Sequence, residues 1–333
     1  MKRFAGIAVA LGLLGLVTAF VLWILPADEF IFTPGNPKPL DDKVVVEGGR
    51  PGEGHVYYVD VFVRRTSRLE ELFPQLRPDG STVVPEHALL PPGTSEEERD
   101  RQTAAEMQRS ELIASAVALR ELGYDVRATP RGALVVEVAQ DVPASSKIEK
   151  GDVIVAVDGA RVRTTDELRR EIGRRQPGDE ASLTVRREGE EMGVVVRTVA
   201  DTRQPTRPIL GIFVDQDADI ALPLDVEIDL GRVGGPSAGL PFAIEIARRL
   251  GRDVTHGCDV AATGELALDG SVLSVGGLKQ KTIGARETGV DVFLVPSGAN
   301  AEVAQDNAEG LEIVPVESFQ QALRLLTTSP RKC

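Results

Sequence analysis

The first 25 residues place the hardest constraint on what this chain can fold into. Lys2 and Arg3 precede an uncharged run from Phe4 to Leu25, interrupted only by Thr18 and scattered glycines. Wound as a helix at 1.5 Å per residue, the run spans roughly 33 Å, enough to cross a hydrocarbon core. A cleaved signal would have a shorter apolar stretch of about 7–15 residues and a small-residue cleavage site. Leu25-Pro26-Ala27 is a poor version of such a site. The run is therefore read as a single transmembrane helix through residues 4–25. The basic flank keeps the N-terminus in the cytoplasm, Trp23 sits at the interface, and everything after about Asp28 is extracytoplasmic.

The 333 residues suffice for about two domains plus appendages, and 42% of them are hydrophobic, ample for packed cores. A formal charge of −13 argues against a nucleic-acid partner, because phosphate binding needs a basic stripe and the sequence has none. The two cysteines, Cys258 and Cys333, are too few for a disulfide scaffold and lack the spacing of a zinc site. They are read as one buried thiol and one at a terminus. No His-Glu-x-x-His is present, so no metal is expected, and no cofactor motif is found.

Thr33 to Arg50 is rich in Pro and Gly and is read as a linker entering a first strand at Val44 to Val46; a second runs from His55 to Val63. Leu72 to Gly93 is turn-rich, and a helix is predicted after Thr94-Ser95, where Leu112, Ile113, Ala116, Val117 and Leu119 recur near helical spacing. From Arg127 to Val199 short β-branched runs dominate, with one helical piece near Thr165 to Arg174. Beyond Ile209 strands and helices alternate, with strands at Leu210 to Val214, Val226 to Leu230, Ala261-Ala262, Val292 to Val295 and Ile313 to Val316. Helices start near Ser237, Leu278, Ala301 and Glu317. The order implies an α/β or α+β domain.

Two places carry chemistry. Gly234-Gly235-Pro236-Ser237-Ala238-Gly239 opens directly onto a helix, so Ser237 lies at the positive end of a helix among small residues, with the backbone of Gly235, Pro236 and Ala238 as the candidate oxyanion environment. Thr263-Gly264-Glu265 leads into an Asp269-Gly270 turn, and Gly276-Gly277-Leu278-Lys279-Gln280-Lys281 opens a further helix. A serine hydroxyl needs a base, and a lysine serves when burial lowers its pKa from about 10.4 toward 7–8. At 3.6 residues per turn Lys281 shares a face with Leu278 and Ala285, whereas Lys279 lines up with Ile283 and Arg286. Lys281 is therefore the inward candidate. His55, His87 and His256 are the only histidines, and His256, beside Gly257-Cys258, is read as structural.

Two resemblances follow from these residues. The Gly151-Asp152-Val153-Ile154 strand closed by Val157-Asp158-Gly159 resembles a PDZ domain, with Gly132, Ala133, Leu134 and Val135 as a looser match to its peptide-binding loop. Such a loop offers backbone N–H groups to a peptide carboxylate beside a strand edge that accepts an added strand. The Gly-Pro-Ser-Ala-Gly loop, Thr-Gly-Glu and Gly-Gly-Leu-Lys-x-Lys, with lysine 44 residues after serine, resemble the proteolytic domain of Lon proteases. That resemblance implies Ser237 as nucleophile, Lys281 as general base and Thr263 as the residue that hydrogen-bonds the lysine. It covers residues 205–328 and, more faintly, the helix around Glu106 to Leu119. Two departures stand out: Gly234 replaces the Asp often found three residues before the serine, and the chain has no Gly-x4-Gly-Lys-Ser/Thr phosphate loop.

The order of anchor, PDZ and Lon-type domain is similar to the bacterial membrane-anchored PDZ–Lon-like proteases. The expected fold is α+β, a Lon-type proteolytic domain with an inserted β-rich PDZ domain and one N-terminal transmembrane helix. Its expected segments are a cytoplasmic tip and anchor at 1–28, a linker and N-terminal part of the protease at 29–125, the PDZ domain at 126–203 and the catalytic part at 204–333. The expected activity is ATP-independent serine endopeptidase, acting on protein or peptide substrates outside the cytoplasm, with a homo-oligomer implied by the rings that Lon-type domains form. A non-catalytic, membrane-tethered PDZ adaptor stays open as the alternative.

Overall fold

The computed structural model describes residues 2–90, 95–202 and 204–328, the first nine of these by backbone alone. The chain divides into two compact units. One contains 1–118, 224–266 and 270–333; the other contains 119–223 and 267–269.

The first unit is built on a five-stranded sheet. Its order is Lys38–Pro39, His55–Tyr58, Asp259–Ala262, Val292–Pro296 and Glu312–Val316, parallel throughout except at the first pairing. Parallel strands joined by crossover helices are covered on both faces and so read as unbroken apolar runs. Val292–Pro296 is buried at every position, and Phe293 packs with Val59, Ala261, Leu278 and Ala285. Helices Gly239–Arg249, Leu278–Thr288, Ala299–Asp306 and Phe319–Thr328 complete this layer. The chain continues from the helix Lys2–Ile24 straight into Pro26–Pro34, the centre of a three-stranded antiparallel sheet between Val61–Ser67 and Thr82–Pro85. Val44–Val46 pairs with Val226–Ile228, and the helix predicted after residue 94 runs Glu96–Glu121.

The expected linker from Thr33 needs correction. Thr33 and Pro34 end a nine-residue strand whose Phe30 and Ile31 are 3% and 0% exposed, and Lys38–Pro39 pairs with His55–Tyr58. Prolines at strand ends remove no ladder bond that the strand needs, so Pro density there does not mean linker.

Among the described residues no helix is long and apolar enough to cross a membrane. The span expected over residues 4–25 lies partly on residues whose side chains are outside that description. From residue 11 onward the helix leaves Leu13, Leu16, Phe20 and Trp23 exposed.

The second unit is a twisted antiparallel sheet ordered Glu190–Arg197, Glu180–Arg187, Val153–Val157, Arg127–Val138 and Ile212–Ala221, with the helix Thr165–Ile172 against it. Its core gathers Val135, Ile154, Leu168, Leu183 and Leu210. The Asp158-Gly159 turn has both residues at positive φ, 48° and 78°, the backbone that closes a tight hairpin. The strand foreseen at Leu210 to Val214 runs Ile212–Ala221 and pairs along the whole of Arg127–Val138. It therefore belongs to this unit, and the boundary drawn at 203/204 falls inside it. Register and burial, which decide such membership, follow from partners far away in sequence.

Candidate active site

The loop before Ser237 is fixed from below by the helix Glu96–Glu121. Gly235 has φ 90° and donates its N–H to the Thr103 carbonyl at 2.8 Å, and Ser110 Oγ donates to the Pro236 carbonyl at 3.0 Å. A Cβ at Gly234 would lie 2.8 Å from Thr103 Oγ1 and 3.0 Å from Thr103 Cβ. Thr103 fills the space that an Asp at that position would need. Pro236–Ala238 forms one 3₁₀ turn, and the helix Gly239–Arg249 follows with nearly every residue buried.

Lys281 is delivered by the helix Leu278–Thr288, which starts where Gly277, at φ 72°, turns the chain. The lysine is 3% exposed, and Leu278 and Ala285 on its face are buried, whereas Lys279 is half-buried. Lys281 Nζ lies 2.6 Å from Ser237 Oγ and 2.9 Å from Thr263 Oγ1. Thr263 Oγ1 donates to the Ser237 carbonyl at 3.2 Å, and Gly264 N–H donates to the same carbonyl at 2.9 Å. Thr263 has one proton and gives it to Ser237, so toward the amine it can only accept. An amine N–H therefore points at Thr263, leaving the nitrogen lone pair free to face the Ser237 hydroxyl. Burial pushes the Lys281 amine down to about 7, opposed only in part by the negative charge of Asp60. Ser237 itself is only half-buried, so the hydroxyl can be reached from outside.

The structure thus brings Ser237, Lys281 and Thr263 together, while two of the expected oxyanion residues need correction. Pro236 has no N–H, and the N–H of Gly235 is already given to Thr103. The amides of Ser237 and Ala238, in the 3₁₀ turn, remain as the loop's candidates. The histidines take other duties: His256 Nε2 is 2.9 Å from the Leu326 carbonyl, and His55 Nδ1 is 2.8 Å from Asp41. Cys258 is buried and disulfide-bonded, contrary to its reading as a thiol; Cys333 lies outside the described residues. Sequence reasoning missed Asp60 and Lys38, which no motif marks.

The peptide-binding role of Gly132, Ala133, Leu134 and Val135 also needs correction. These four lie inside the strand Arg127–Val138, paired on one side with Ile212–Ala221, while Ala133 and Leu134 also pair on the other side with Val153–Val157. Ala133 and Val135 point into the core at 0% and 1% exposure. With both edges occupied, no peptide can add there. Ile212–Ala221 is one of the two outer strands of this sheet, Glu190–Arg197 being the other; it lies next to the helix Thr165–Ile172 and is preceded by a turn through Gly211 at φ 74°.

Family comparisons agree with this division. Residues 120–198 match the PDZ domain, and residues 221–328 match the Lon protease (S16) C-terminal proteolytic domain. The chain carries a PDZ domain and a Lon-type proteolytic domain. Curated relatives include a Lon protease of Mesomycoplasma hyopneumoniae (strain 232), 37% identical over 91 residues, covering 26% of this chain and 10% of the relative. Another is Lon protease 1 of Sorangium cellulosum (strain So ce56), 39% identical over 93 residues, covering 27% of this chain and 11% of the relative. The chain therefore spans only about a tenth of the length of the relatives it matches. Among solved structures, the PDZ domain of the SdrC-like protein from Listeria monocytogenes is 25% identical, covers 26% of this chain and 92% of that chain, and has a TM-score of 0.25.

Proposed function

We propose that this chain is an ATP-independent serine endopeptidase in which Ser237 attacks peptide carbonyls and Lys281 is the general base. The observation that carries the reading is the 2.6 Å separation of Lys281 Nζ from Ser237 Oγ at a buried amine whose pKa lies at about 7. At neutral pH a large fraction of such an amine is uncharged and can take a proton. As the hydroxyl oxygen bonds to the carbonyl carbon, its proton passes to Lys281, and the carbonyl π bond opens to an oxyanion. The amides of Ser237 and Ala238 are the donors that would receive that charge. Lys281 then returns the proton to the departing amine, leaving an acyl-enzyme. A water molecule, deprotonated by the same lysine, attacks the acyl carbon; the ester C–O bond to Ser237 breaks, the acid departs and Lys281 returns the proton to Ser237 Oγ.

The PDZ unit would present substrate by adding a peptide as a strand to the outer edge of Ile212–Ala221, with the peptide carboxylate near the turn through Gly211. The apolar helix Lys2–Ile24 would hold the protein in the membrane, with the bulk of the chain outside the cytoplasm. Since this chain carries no phosphate-binding loop, its substrates would be flexible tails or unfolded extracytoplasmic segments, and a homo-oligomer would fit the Lon-type domain. Cleavage of casein by wild type, Ser237→Ala and Lys281→Ala tests the reading. It expects loss of cleavage in both variants, and undiminished cleavage in either would overturn it.

A further inference from the structure

Asp60 stands between the strands His55–Tyr58 and Val61–Ser67. Its Oδ2 is 2.6 Å from Lys38 Nζ, and the two side chains are 13% and 44% exposed respectively. Its Oδ1 is buried and has no hydrogen-bond partner. Such an oxygen carries a desolvation cost that folds rarely retain without a return.

Three glycines show what the carboxylate packs against. A Cβ at Gly35 would lie 2.1 Å from Asp60 Oδ1, one at Gly284 would lie 2.0 Å from the Gly35 carbonyl oxygen, and one at Gly277 would lie 2.9 Å from Val61 Cγ2. Gly277 and Gly284 stand four residues before and three residues after Lys281, the spacings that share one helix face. Asp60 and Val61 therefore close on the face of the helix that carries Lys281, Val61 by direct contact and Asp60 across the bare backbone of Gly35. The titratable groups around this carboxylate are Lys38, Tyr58 and Lys281. The negative charge of Asp60 favours the Lys281 ammonium against burial. Burial pushes the Tyr58 phenol up, with Asp60 adding and Lys38 opposing.

On the reading of Ser237 and Lys281 as a proteolytic dyad, we propose that Asp60 is a positioning residue for the reaction: it supplies the buried counter-charge for the ammonium that forms on Lys281, and Lys38 sets how much of that charge the dyad feels. At the moment of attack the Ser237 O–H bond breaks and an N–H bond forms on Lys281, placing a positive charge on a side chain that is only 3% exposed. Asp60 offsets that charge through Gly35, which keeps the carboxylate close to the helix without letting it hydrogen-bond the amine. A direct salt bridge would hold the lysine protonated and remove the base. Lys38 tempers the field, so that the resting amine can still lose its proton near neutrality.

The test is the pH dependence of kcat/KM for casein-derived peptides, measured on the full chain, with Asp60→Asn and Lys38→Met. Removing the negative charge favours the neutral amine, so Asp60→Asn moves the acid limb down by roughly one pH unit and lowers the plateau. Removing the tempering cation moves the limb of Lys38→Met up by a similar amount. Competitive acylation of Lys281 with acetic anhydride across pH, read by mass spectrometry, reports the same two shifts without requiring turnover. Limbs and acylation midpoints that stay where they are in wild type, or that move in the same direction in both variants, overturn the proposal, even if either variant is less stable. Cleavage that survives Ser237→Ala defeats the dyad itself, whereas a working dyad that ignores both substitutions defeats only the role of Asp60.

Discussion

The two units put polar groups to opposite use. In the Lon-type unit an amine is driven into the interior, 3% exposed, with two hydroxyls around it and a carboxylate across a glycine. In the PDZ unit Ile212–Ala221 is an outer strand of the sheet, and Phe213 on it is 60% exposed. Activating a hydroxyl needs a dry, rigid setting in which a lysine loses its proton. Accepting a peptide needs the reverse, a wet edge with donors and acceptors still to be paired. One chain can hold both because each is confined to its own core.

The largest effect that would break this contrast is at the amine. Lys281→Met should reduce kcat/KM by at least roughly 10³-fold, since members of a catalytic unit fail together. The same substitution should raise thermal stability, because it replaces a buried amine by a side chain with no desolvation cost. The sign of the accompanying pH effect is fixed. Between about 7, where the folded amine titrates, and its ordinary value of 10.5, the unfolded chain binds a proton that the folded chain has released. Wild-type stability therefore climbs with pH through that window, and the penalty is fully present below it. Urea titrations at several pH values should show this climb in wild type and lose it in Lys281→Met.

Thr263→Val should cost about 10–100-fold in kcat with little change in KM, because it removes the acceptor that orients the amine. Steady-state kinetics separates the two parameters. Gly284→Ala probes the packing behind the base. A Cβ 2.0 Å from the Gly35 carbonyl must displace backbone, so about 1–3 kcal/mol of stability should be lost, measured by denaturant unfolding. The smallest effect belongs to the outer strand Ile212–Ala221. Phe213→Asp should raise KM for protein substrates a few-fold and leave kcat for short peptides unchanged, and a comparable loss on both substrates would contradict a recognition role for that strand.

The two regions also differ in how far the sequence exposes them. The serine loop, the Thr-Gly-Glu and the second lysine carry their chemistry in local motifs, and the helical spacing that separates Lys281 from Lys279 depends only on neighbours in the chain. The PDZ edge does not. Gly132 to Val135 looks like a peptide loop until Ile212–Ala221 returns from some 80 positions later to occupy that side of the strand. The strand Pro26–Pro34 was hidden by its prolines and by the apolar run before it. Lys38 and Asp60 belong to no motif, and only the closeness of Gly35 to Gly284 connects them to the dyad. Charge placed by tertiary packing leaves no period or signature in the sequence.

The measurement that bears most directly on the dyad is the rate at which a serine-directed phosphonate attaches to Ser237 across pH, followed by mass spectrometry of the modified peptide. The account predicts a rate that rises through one ionisation near pH 7 and vanishes in Lys281→Met. A rate that is flat across neutrality, or that persists without the lysine, would contradict it.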